Sequence, residues 1–342
     1  MRTSSVWDLV KYYMTPIESL FDIEGVTEIS VNRFDEIYIE RFDKKEKPDT
    51  RFDDEEAVAT LIHQIAVALG QTVNKDSHPV LDARLTDGTR VCGVLHPTST
   101  RGSCISFRLF PKKRITGDYL VEHQTLTEEM LEFLKLSVVC RSNILVSGST
   151  GSGKTTLLNV LSGFIPKEER VLIVEDTKEL QVFAKNLVSL EAPTRRKQGD
   201  SQAVDLAFLI KTSLRKNPDR IIVGEIRDTK AATAFLHAIN TGHSACSTIH
   251  ANNPEDSLLR IQTLVAGEGA LPFDVVKSQV RSNLDIIVHV ELTPHQGRRV
   301  TSVSEIADGV TKELWTWSYR KAHHVTKSKE SEIYRKAEKF CL

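Results

Sequence analysis

Apolar and polar residues alternate in two short runs near the start of the chain, as they do in strands with one buried face. These runs are residues 26–31 and 36–42, joined by a short polar turn. A helix is then predicted after Asp53 or Asp54, either of which can cap its N-terminus, and Gly70 ends it. Its apolar positions fall on one face at helical spacing, and they are Val58, Leu61, Ile62, Ile65, Ala66 and Leu69.

A hairpin pattern follows this helix. Two β-rich runs, residues 80–85 and 90–95, flank an Asp-Gly turn, and residues 102–110 predict a further strand. The mixture of helix and strand patterns over residues 1–111 predicts a small α+β N-terminal domain. A Pro-Lys-Lys-Arg run begins at Pro111 and is followed by Gly117, so we interpret residues 112–120 as a linker.

Strand and helix patterns alternate through the second part of the chain, which predicts an α/β domain over residues 121–310. Repeated strand–helix units with Val- and Ile-rich strands favour a parallel sheet with helices on both faces. Ligands of such sheets bind at the carboxyl ends of the strands. Residues 311–342 carry more Lys and Arg than Glu, and we expect a basic C-terminal extension that is solvated or partly disordered. The predicted strands are residues 144–146, 171–174, 187–190, 220–223, 245–249, 284–290 and 299–306.

Composition narrows the class of protein further. The 342 residues carry a net charge of −1 and 27% charged residues, which is typical of a soluble globular protein and provides no basic field for nucleic acid. The five cysteines are scattered without a Cys-x-x-Cys pair, which argues against a zinc ribbon or a redox dithiol. Because neither a long apolar run nor a signal-peptide pattern occurs, we expect a cytoplasmic protein without a transmembrane segment.

One glycine-rich segment follows the first strand of the α/β domain and opens a helix. Its spacing is that of a phosphate-binding P-loop. Glycines let backbone N–H groups turn toward phosphate oxygens, and the helix N-terminus adds partial positive charge. We expect Lys154 to reach the β- and γ-phosphates and Thr155 to ligate Mg²⁺. The predicted nucleotide-binding residues of the loop are Gly148, Ser149, Thr150, Gly151, Ser152, Gly153, Lys154, Thr155 and Thr156.

Three further strand ends carry acidic or imidazole side chains, and we expect them to gather beside the P-loop. They matter because a P-loop alone does not distinguish a kinase from a GTPase or a motor. Hydrolysis needs bound Mg²⁺ and an oriented water molecule. Glu225 directly follows an apolar strand and is assigned to Mg²⁺ and its waters, and His250 is a candidate sensor of the γ-phosphate. Glu175 or Glu179 is the candidate that orients the attacking water, and the sequence leaves this choice open.

Four motifs, in this order, resemble the signatures of the secretion ATPase superfamily. They are a Walker A motif at residues 148–155, an Asp box at 175–179, a Walker B motif at 223–228 and a His box at 241–252. The superfamily drives type II secretion, type IV pili and type IV secretion. The His-Ala-Asn end of the His box, together with residues 26–32, resembles the conjugal-transfer, type IV secretion and Tad-pilus (CpaF-like) branch.

This resemblance implies a RecA-like P-loop NTPase domain, a smaller N-terminal domain and assembly into a homo-hexamer. It also implies ATP and Mg²⁺ as ligands, with ATP hydrolysis energising type IV secretion or conjugation from the cytoplasmic face of the inner membrane. The implied partners are inner-membrane components of that apparatus. In the family, arginines of the N-terminal domain reach the phosphates, and the matching positions are Arg90 and Arg108, with Arg84 a weaker candidate.

Two other functions stay open at the level of sequence. RecA-like rings also translocate nucleic acids, although the near-neutral charge and the lack of a basic–aromatic strip weigh against this function. A nucleotide-dependent scaffold without hydrolysis is the other alternative, and the presence of Glu175, Glu179 and Glu225 weighs against it. The sequence identifies neither the transported substrate nor whether the apparatus serves conjugation, effector secretion or pilus assembly.

Overall fold

The structure is a computed structural model that describes residues 6–41, 44–109, 115–192 and 204–340. The chain forms two compact units, residues 1–113 and residues 114–342. Each unit has its own buried apolar core, and each is described separately.

The first unit contains a six-stranded antiparallel sheet with two helices packed against it. Asp54 caps the second helix by accepting the N–H of Ala57, and Gly70 follows the helix end with a φ of +66°. The short strand β3 is fully exposed and forms one edge of this sheet. Along the chain, the elements are α1 (Val6–Glu18), β1 (Val26–Arg33), β2 (Glu36–Arg41), β3 (Lys44–Glu46), α2 (Glu55–Ala68), β4 (Val80–Arg84), β5 (Arg90–Val94) and β6 (Cys104–Arg108).

The second unit is built around a nine-stranded sheet in the order β15-β14-β13-β12-β7-β11-β10-β8-β9. The six strands from β12 to β9 run parallel, and β13, β14 and β15 add an antiparallel edge. In the described residues, the strands are β7 (Ile144–Gly148), β8 (Arg170–Glu175), β9 (Asn186–Glu191), β10 (Arg220–Ile226), β11 (Ser244–His250), β12 (Ile286–Thr293), β13 (Gly297–Ala307), β14 (Val310–Ser318) and β15 (His323–Thr326).

Helices cover both faces of this sheet, because successive side chains of the central strands point to opposite sides. Ile144 and Val146 of β7 belong to one apolar cluster, and Leu145 belongs to the other. The predicted fold class, an α/β domain with a smaller α+β N-terminal unit, is confirmed. The helices are α3 (Gly117–Glu122), α4 (Glu128–Val139), α5 (Lys154–Ser162), α6 (Leu206–Ser213), α7 (Thr229–Asn240), α8 (Pro254–Ala266), α9 (Phe273–Asn283) and α10 (Glu332–Lys339).

Helix α3 begins inside the stretch that the sequence suggested as a linker. Its N-cap is Thr116, whose hydroxyl accepts the N–H of Tyr119. Leu120 is buried in the apolar cluster that also contains α4. Six residues are too few for helical periodicity to stand out, so the pattern gave no indication of this helix.

The predicted solvated extension at residues 311–342 is wrong for the described residues up to 340. Strand β14 pairs with β13, and the side chains of Trp315 and Trp317 are buried. The side chain of Glu305 accepts the N–H of Ile333 at the start of α10, which holds that helix on the sheet. The many charged residues of this segment made it look solvated in the sequence. Its apolar residues are buried only when the neighbouring strand and helix pack against them.

We expect Trp315→Ala to lower the free energy of unfolding by about 3–5 kcal/mol, because it removes a large buried ring that packs 5.0 Å from the ring of Phe133. Denaturant unfolding followed by circular dichroism measures the change. The matched control is Val310→Ala in the same strand, where the side chain is 65% exposed and the expected change is within about 0.5 kcal/mol. Equal effects of the two substitutions would contradict the buried position of β14.

Candidate functional site

The P-loop connects β7 to α5, and its glycines adopt backbone conformations that other residues avoid. Gly148, Gly151 and Gly153 have φ values of +153°, +73° and +101°. A Cβ atom at Gly148 would lie 2.1 Å from the backbone oxygen of Val290, so a side chain at this position cannot fit. The loop therefore has the cradle shape that lets backbone N–H groups face an anion at the helix N-terminus.

Lys154 lies at the first position of α5, and its side chain crosses the loop. The residue is only 7% exposed, and Nζ donates to the backbone oxygen of Ser149 at 2.8 Å. Burial lowers the pKa of Lys154, whereas the neighbouring carboxylates of Glu225 and Glu179 act in the opposite direction. The ammonium group is thus held at the cradle by the loop itself.

A chain of polar contacts leads from Lys154 to the ends of β11 and β10. Nζ of Lys154 is 3.3 Å from Nδ1 of His250, and Nε2 of His250 is 2.6 Å from Oε1 of Glu225. Burial, followed by the charge of Lys154, lowers the pKa of His250, which favours a neutral ring at pH 7. Because the ammonium of Lys154 can only donate, Nδ1 of the neutral ring is the acceptor in that contact, and Nε2 lies at ion-pair distance from Glu225.

Glu225 is shared between the histidine and an arginine. Its Oε2 accepts from Nε of Arg227 at 2.8 Å and from the terminal nitrogen Nη2 at 2.5 Å. Burial acts to lower the pKa of Arg227, but the hydrogen bond and charge of Glu225, together with the carboxylates of Asp176 and Glu179, raise it above the ordinary value of an arginine. Opposite charges therefore alternate beside the cradle, which holds the carboxylate in place.

Glu175 ends β8 and organises the loop that follows it. The side chain is buried, and Oε1 accepts the N–H groups of Glu179 and Leu180, both at 2.8 Å. Its second oxygen, Oε2, is buried without a hydrogen-bond partner among the described residues. Burial raises the pKa of Glu175 to about 7. A carboxyl group with this pKa changes its protonation state within the physiological range.

We expect the raised pKa of Glu175 to make the native state less stable as pH increases from about 4.5 to about 7. In this window the folded protein holds a proton on Glu175 that the unfolded chain has lost, so the stability that this proton provides disappears as pH rises through the folded pKa. The measurement is the difference in unfolding free energy between the wild-type chain and Glu175→Gln, taken at several pH values. A difference that does not change with pH would contradict the raised pKa.

Glu179 lies in the same loop and is half-buried. Burial lowers the pKa of Lys154, and the charge of Glu179 acts against this lowering. The same charge is one of those that raise the pKa of Arg227 in spite of its burial. Glu179 thus lies within electrostatic range of the cradle lysine, whereas the carboxylate of Glu175 accepts N–H groups of its own loop.

The structure brings several of the sequence-predicted residues together, and it places the others apart. Lys154, His250 and Glu225 are in direct contact, and Thr155 and Thr156 lie in the first turn of α5. The arginines of the first unit and the first histidine of the His box are not part of this contact chain.

Arg90 and Arg108 belong to the first unit. They lie directly opposite each other on β5 and β6, and Arg84 on β4 lies opposite Arg90. Side chains of directly opposed residues share one face of an antiparallel sheet, so the three arginines form a row across three strands.

The first histidine of the His box, His243, precedes β11 and contacts the hydroxyl of Thr241 at 3.1 Å. The seven residues of β11 separate it from the carboxyl end of the strand, which corresponds to about 20 Å of extended chain. His243 therefore lies at the amino end of β11, whereas His250 lies at its carboxyl end.

Sequence reasoning missed two arginines at the site. Arg227 stands two residues after Glu225 in the Walker B motif, directly after the end of β10, and its proximity in sequence to Glu225 was an available signal. Arg298 begins β13 and donates from Nε to the backbone oxygen of Gly151 at 3.1 Å. No motif in the sequence marks Arg298, because this contact depends on the pairing of β12 with β7.

A glycine cradle above a helix N-terminus, a buried lysine, and carboxylate and imidazole groups on neighbouring parallel strands together define a P-loop ATPase of the RecA-like class. Residues 12–334 match the family described as Type II/IV secretion system protein. The chain belongs to this family and is a secretion ATPase that binds nucleotide. The family predicted from the four motifs is thereby confirmed.

Two named relatives match this chain over most of the length of both proteins. A putative conjugal transfer protein of Mycobacterium tuberculosis is 31% identical over 310 residues, which covers 88% of this chain and 87% of the relative. Type IV secretion system protein PtlH of Bordetella pertussis is 31% identical over 322 residues, which covers 85% and 92%.

Among solved structures, the X-ray structure of the ATPase DotB of Legionella pneumophila is similar in fold. The TM-score is 0.60, and the match covers 99% of this chain and 88% of that chain. At 18% identity, this likeness concerns the fold alone. Within the part of the chain that the structure describes, none of the helices has the length and apolar character needed to cross a membrane.

Proposed function

We propose that this chain works as a homo-hexameric ATPase that energises substrate transfer or pilus assembly in a type IV secretion or conjugation apparatus. The observation that carries the proposal is the contact chain from Lys154 through His250 to Glu225, because it joins the phosphate cradle to two neighbouring strands. A change at the phosphates can therefore pass into the body of the domain. Two relatives support the choice of pathway, since one is named for conjugal transfer and the other for type IV secretion.

ATP is the proposed nucleotide, and Mg²⁺ is its proposed counter-ion. Among the described residues, no group of three or more His, Cys, Asp or Glu side chains is arranged to hold a metal ion. The hydroxyl of Thr155 and the carboxylate of Glu225 are oxygen donors, which suit a cation that takes its other ligands from phosphate and water. Thr155 and Glu225 would hold it, Glu225 partly through water, and the bound cation would neutralise phosphate charge.

Residues 148–156 bind the phosphates in this proposal, through backbone N–H groups and the ammonium of Lys154. His250 senses the γ-phosphate, because Lys154 contacts His250 directly and would also contact that phosphate. Loss of the γ-phosphate removes one partner of Lys154, and the contact with His250 then changes. This sequence of contacts makes His250 a positioning residue for Glu225.

Glu179 is proposed to orient the attacking water, and Glu175 to hold the loop that carries Glu179. The electrostatic effect of Glu179 on Lys154 supports the first role. The two backbone N–H groups bound by Glu175 support the second role, since they include the N–H of Glu179 itself. Water oriented by a carboxylate is the usual requirement of ATP hydrolysis at such sites.

In this proposal, the arginine row of the first unit supplies positive charge to the nucleotide bound by the ATPase unit. Arg90 and Arg108, with Arg84 as a further candidate, would engage the phosphates in the assembled ring and neutralise transition-state charge. The ring is proposed to act in the cytoplasm at the inner membrane, bound to inner-membrane components of the apparatus. Guanidinium groups that engage only in the closed state would couple hydrolysis to motion.

The test is the ATPase rate of each oligomeric form, separated by sedimentation. We expect activity in hexamer fractions and almost none in monomers, because the arginine row acts only in the ring. Arg90→Ala and Arg108→Ala hexamers should be inactive, whereas Arg101→Ala, an exposed arginine of the same unit paired with Glu36, should keep its rate. Full activity in monomers would overturn the proposed assembly.

A further inference from the structure

A hairpin formed by β12 and β13 lies against the side of the P-loop that faces away from His250. Two contacts establish this position. The backbone oxygen of Val290 limits the space at Gly148, and Nε of Arg298 donates to the backbone oxygen of Gly151 at 3.1 Å. A Cβ atom at Gly153 would lie 3.1 Å from Cδ of Arg298, so the arginine stem covers the loop up to the start of α5.

The order of the strands indicates on which side of the P-loop each end of a bound nucleotide would lie. Strand β7 leads into the P-loop and lies between β11 and β12. His250 and Glu225, which connect to Lys154, end β11 and β10 on one side of β7. If the γ-phosphate of a bound nucleotide lies toward these groups, its ribose and base would leave the cradle on the other side, where β12, β13 and Arg298 lie.

We propose that Arg298 binds the nucleoside half of the nucleotide, with its guanidinium plane against the base and its stem along the ribose. This inference rests on the proposed ATP site at the P-loop. A guanidinium plane stacks on aromatic rings, and hydrogen bonds made in the plane do not compete with stacking on its face. The bond from Nε to Gly151 fixes the plane at the rim of the cradle.

Binding of the base and ribose by Arg298 can be distinguished from phosphate binding by the choice of ligand. A residue that contacts only ribose and base affects ATP and ADP, but it does not affect a ligand that consists of phosphates alone. Inorganic tripolyphosphate supplies three linked phosphates without a nucleoside, so it reports the cradle by itself. A residue that merely braces Gly151 and Gly153 would instead affect all three ligands, because every one of them uses the loop.

The experiment measures binding of ATP, ADP and tripolyphosphate to the full-length chain by calorimetry and by the ligand-induced rise in melting temperature. We expect Arg298→Ala to weaken ATP and ADP binding about tenfold, which matches the value of one lost stacking contact, and to leave tripolyphosphate within about twofold. Arg298→Lys keeps the charge without the plane and should remain weakened for ATP. Arg335→Ala, an exposed arginine on α10, is the matched control and should change nothing.

Two results would overturn the assignment. The first is unchanged ATP and ADP binding by Arg298→Ala, and the second is an equal loss for tripolyphosphate, which would make Arg298 a brace of the loop. Failure of the proposed function looks different, since the wild-type chain itself would then not bind or hydrolyse ATP. A melting temperature of the ligand-free variant equal to that of the wild type shows that the variant is folded.

Discussion

Lys154→Ala should reduce kcat/KM for ATP by about 10²–10³-fold and weaken ATP binding as well. The side chain is buried at the cradle, with Nζ held by the oxygen of Ser149 and close to His250. Its removal takes away the positive charge expected at the β- and γ-phosphates, where an electrostatic contact in a water-poor site has its largest effect. Steady-state phosphate release, together with calorimetry of ATP binding, measures both consequences.

Lys167→Ala provides the control for this substitution, since Lys167 is exposed in the turn after α5 and has the same charge. It should leave kcat/KM unchanged. A normal kcat/KM for Lys154→Ala would mean that the loop at residues 148–155 does not bind the reacting phosphates. A melting temperature close to that of the wild type would show that the loss of activity does not come from unfolding.

Glu179→Gln is expected to keep the affinity for ATP and to slow turnover by about 10²-fold or more. The amide keeps the size of the side chain and removes the charge that orients a water molecule and accepts its proton. ATP affinity should persist because the P-loop and Lys154 remain intact. Pre-steady-state phosphate release, measured at saturating ATP, separates the chemical step from binding.

Glu175→Gln is the matched comparison, because it places the same change four residues away in the same loop. If Glu175 only holds the loop through the N–H groups of Glu179 and Leu180, turnover should fall much less than in Glu179→Gln. Normal turnover in Glu179→Gln, combined with a large loss in Glu175→Gln, would transfer the water-orienting role to Glu175. The comparison is needed because Oε2 of Glu175 is buried and has no hydrogen-bond partner within the described part of the chain.

The sequence was informative wherever the physics is local. The P-loop glycines could be predicted because their positive φ values depend on the backbone of a few neighbouring residues. The cap at Asp54 and the end of α2 before Gly70 follow from the same local logic. The convergence of Glu225 and His250 could also be predicted, since parallel strands bring their carboxyl ends to one edge.

Contacts between distant parts of the chain could not be predicted in this way. Trp315 looked like part of a polar tail because its partner ring, Phe133, lies far away in sequence on α4. Arg298 looked like an ordinary hairpin residue, yet it reaches Gly151 across 147 positions of the chain. Periodicity records which face of an element is apolar, but not which element covers that face.

The amino-acid sequence alone therefore determined the anion cradle, the order of the four motifs and the family, because these depend on residue types at short, constant spacings. Only the tertiary structure decided that the C-terminal segment completes the sheet and that Arg298 borders the cradle. It also placed Glu175 in the interior, where burial raises its pKa. These features arise from strand pairing and desolvation, which exist only after the chain has packed.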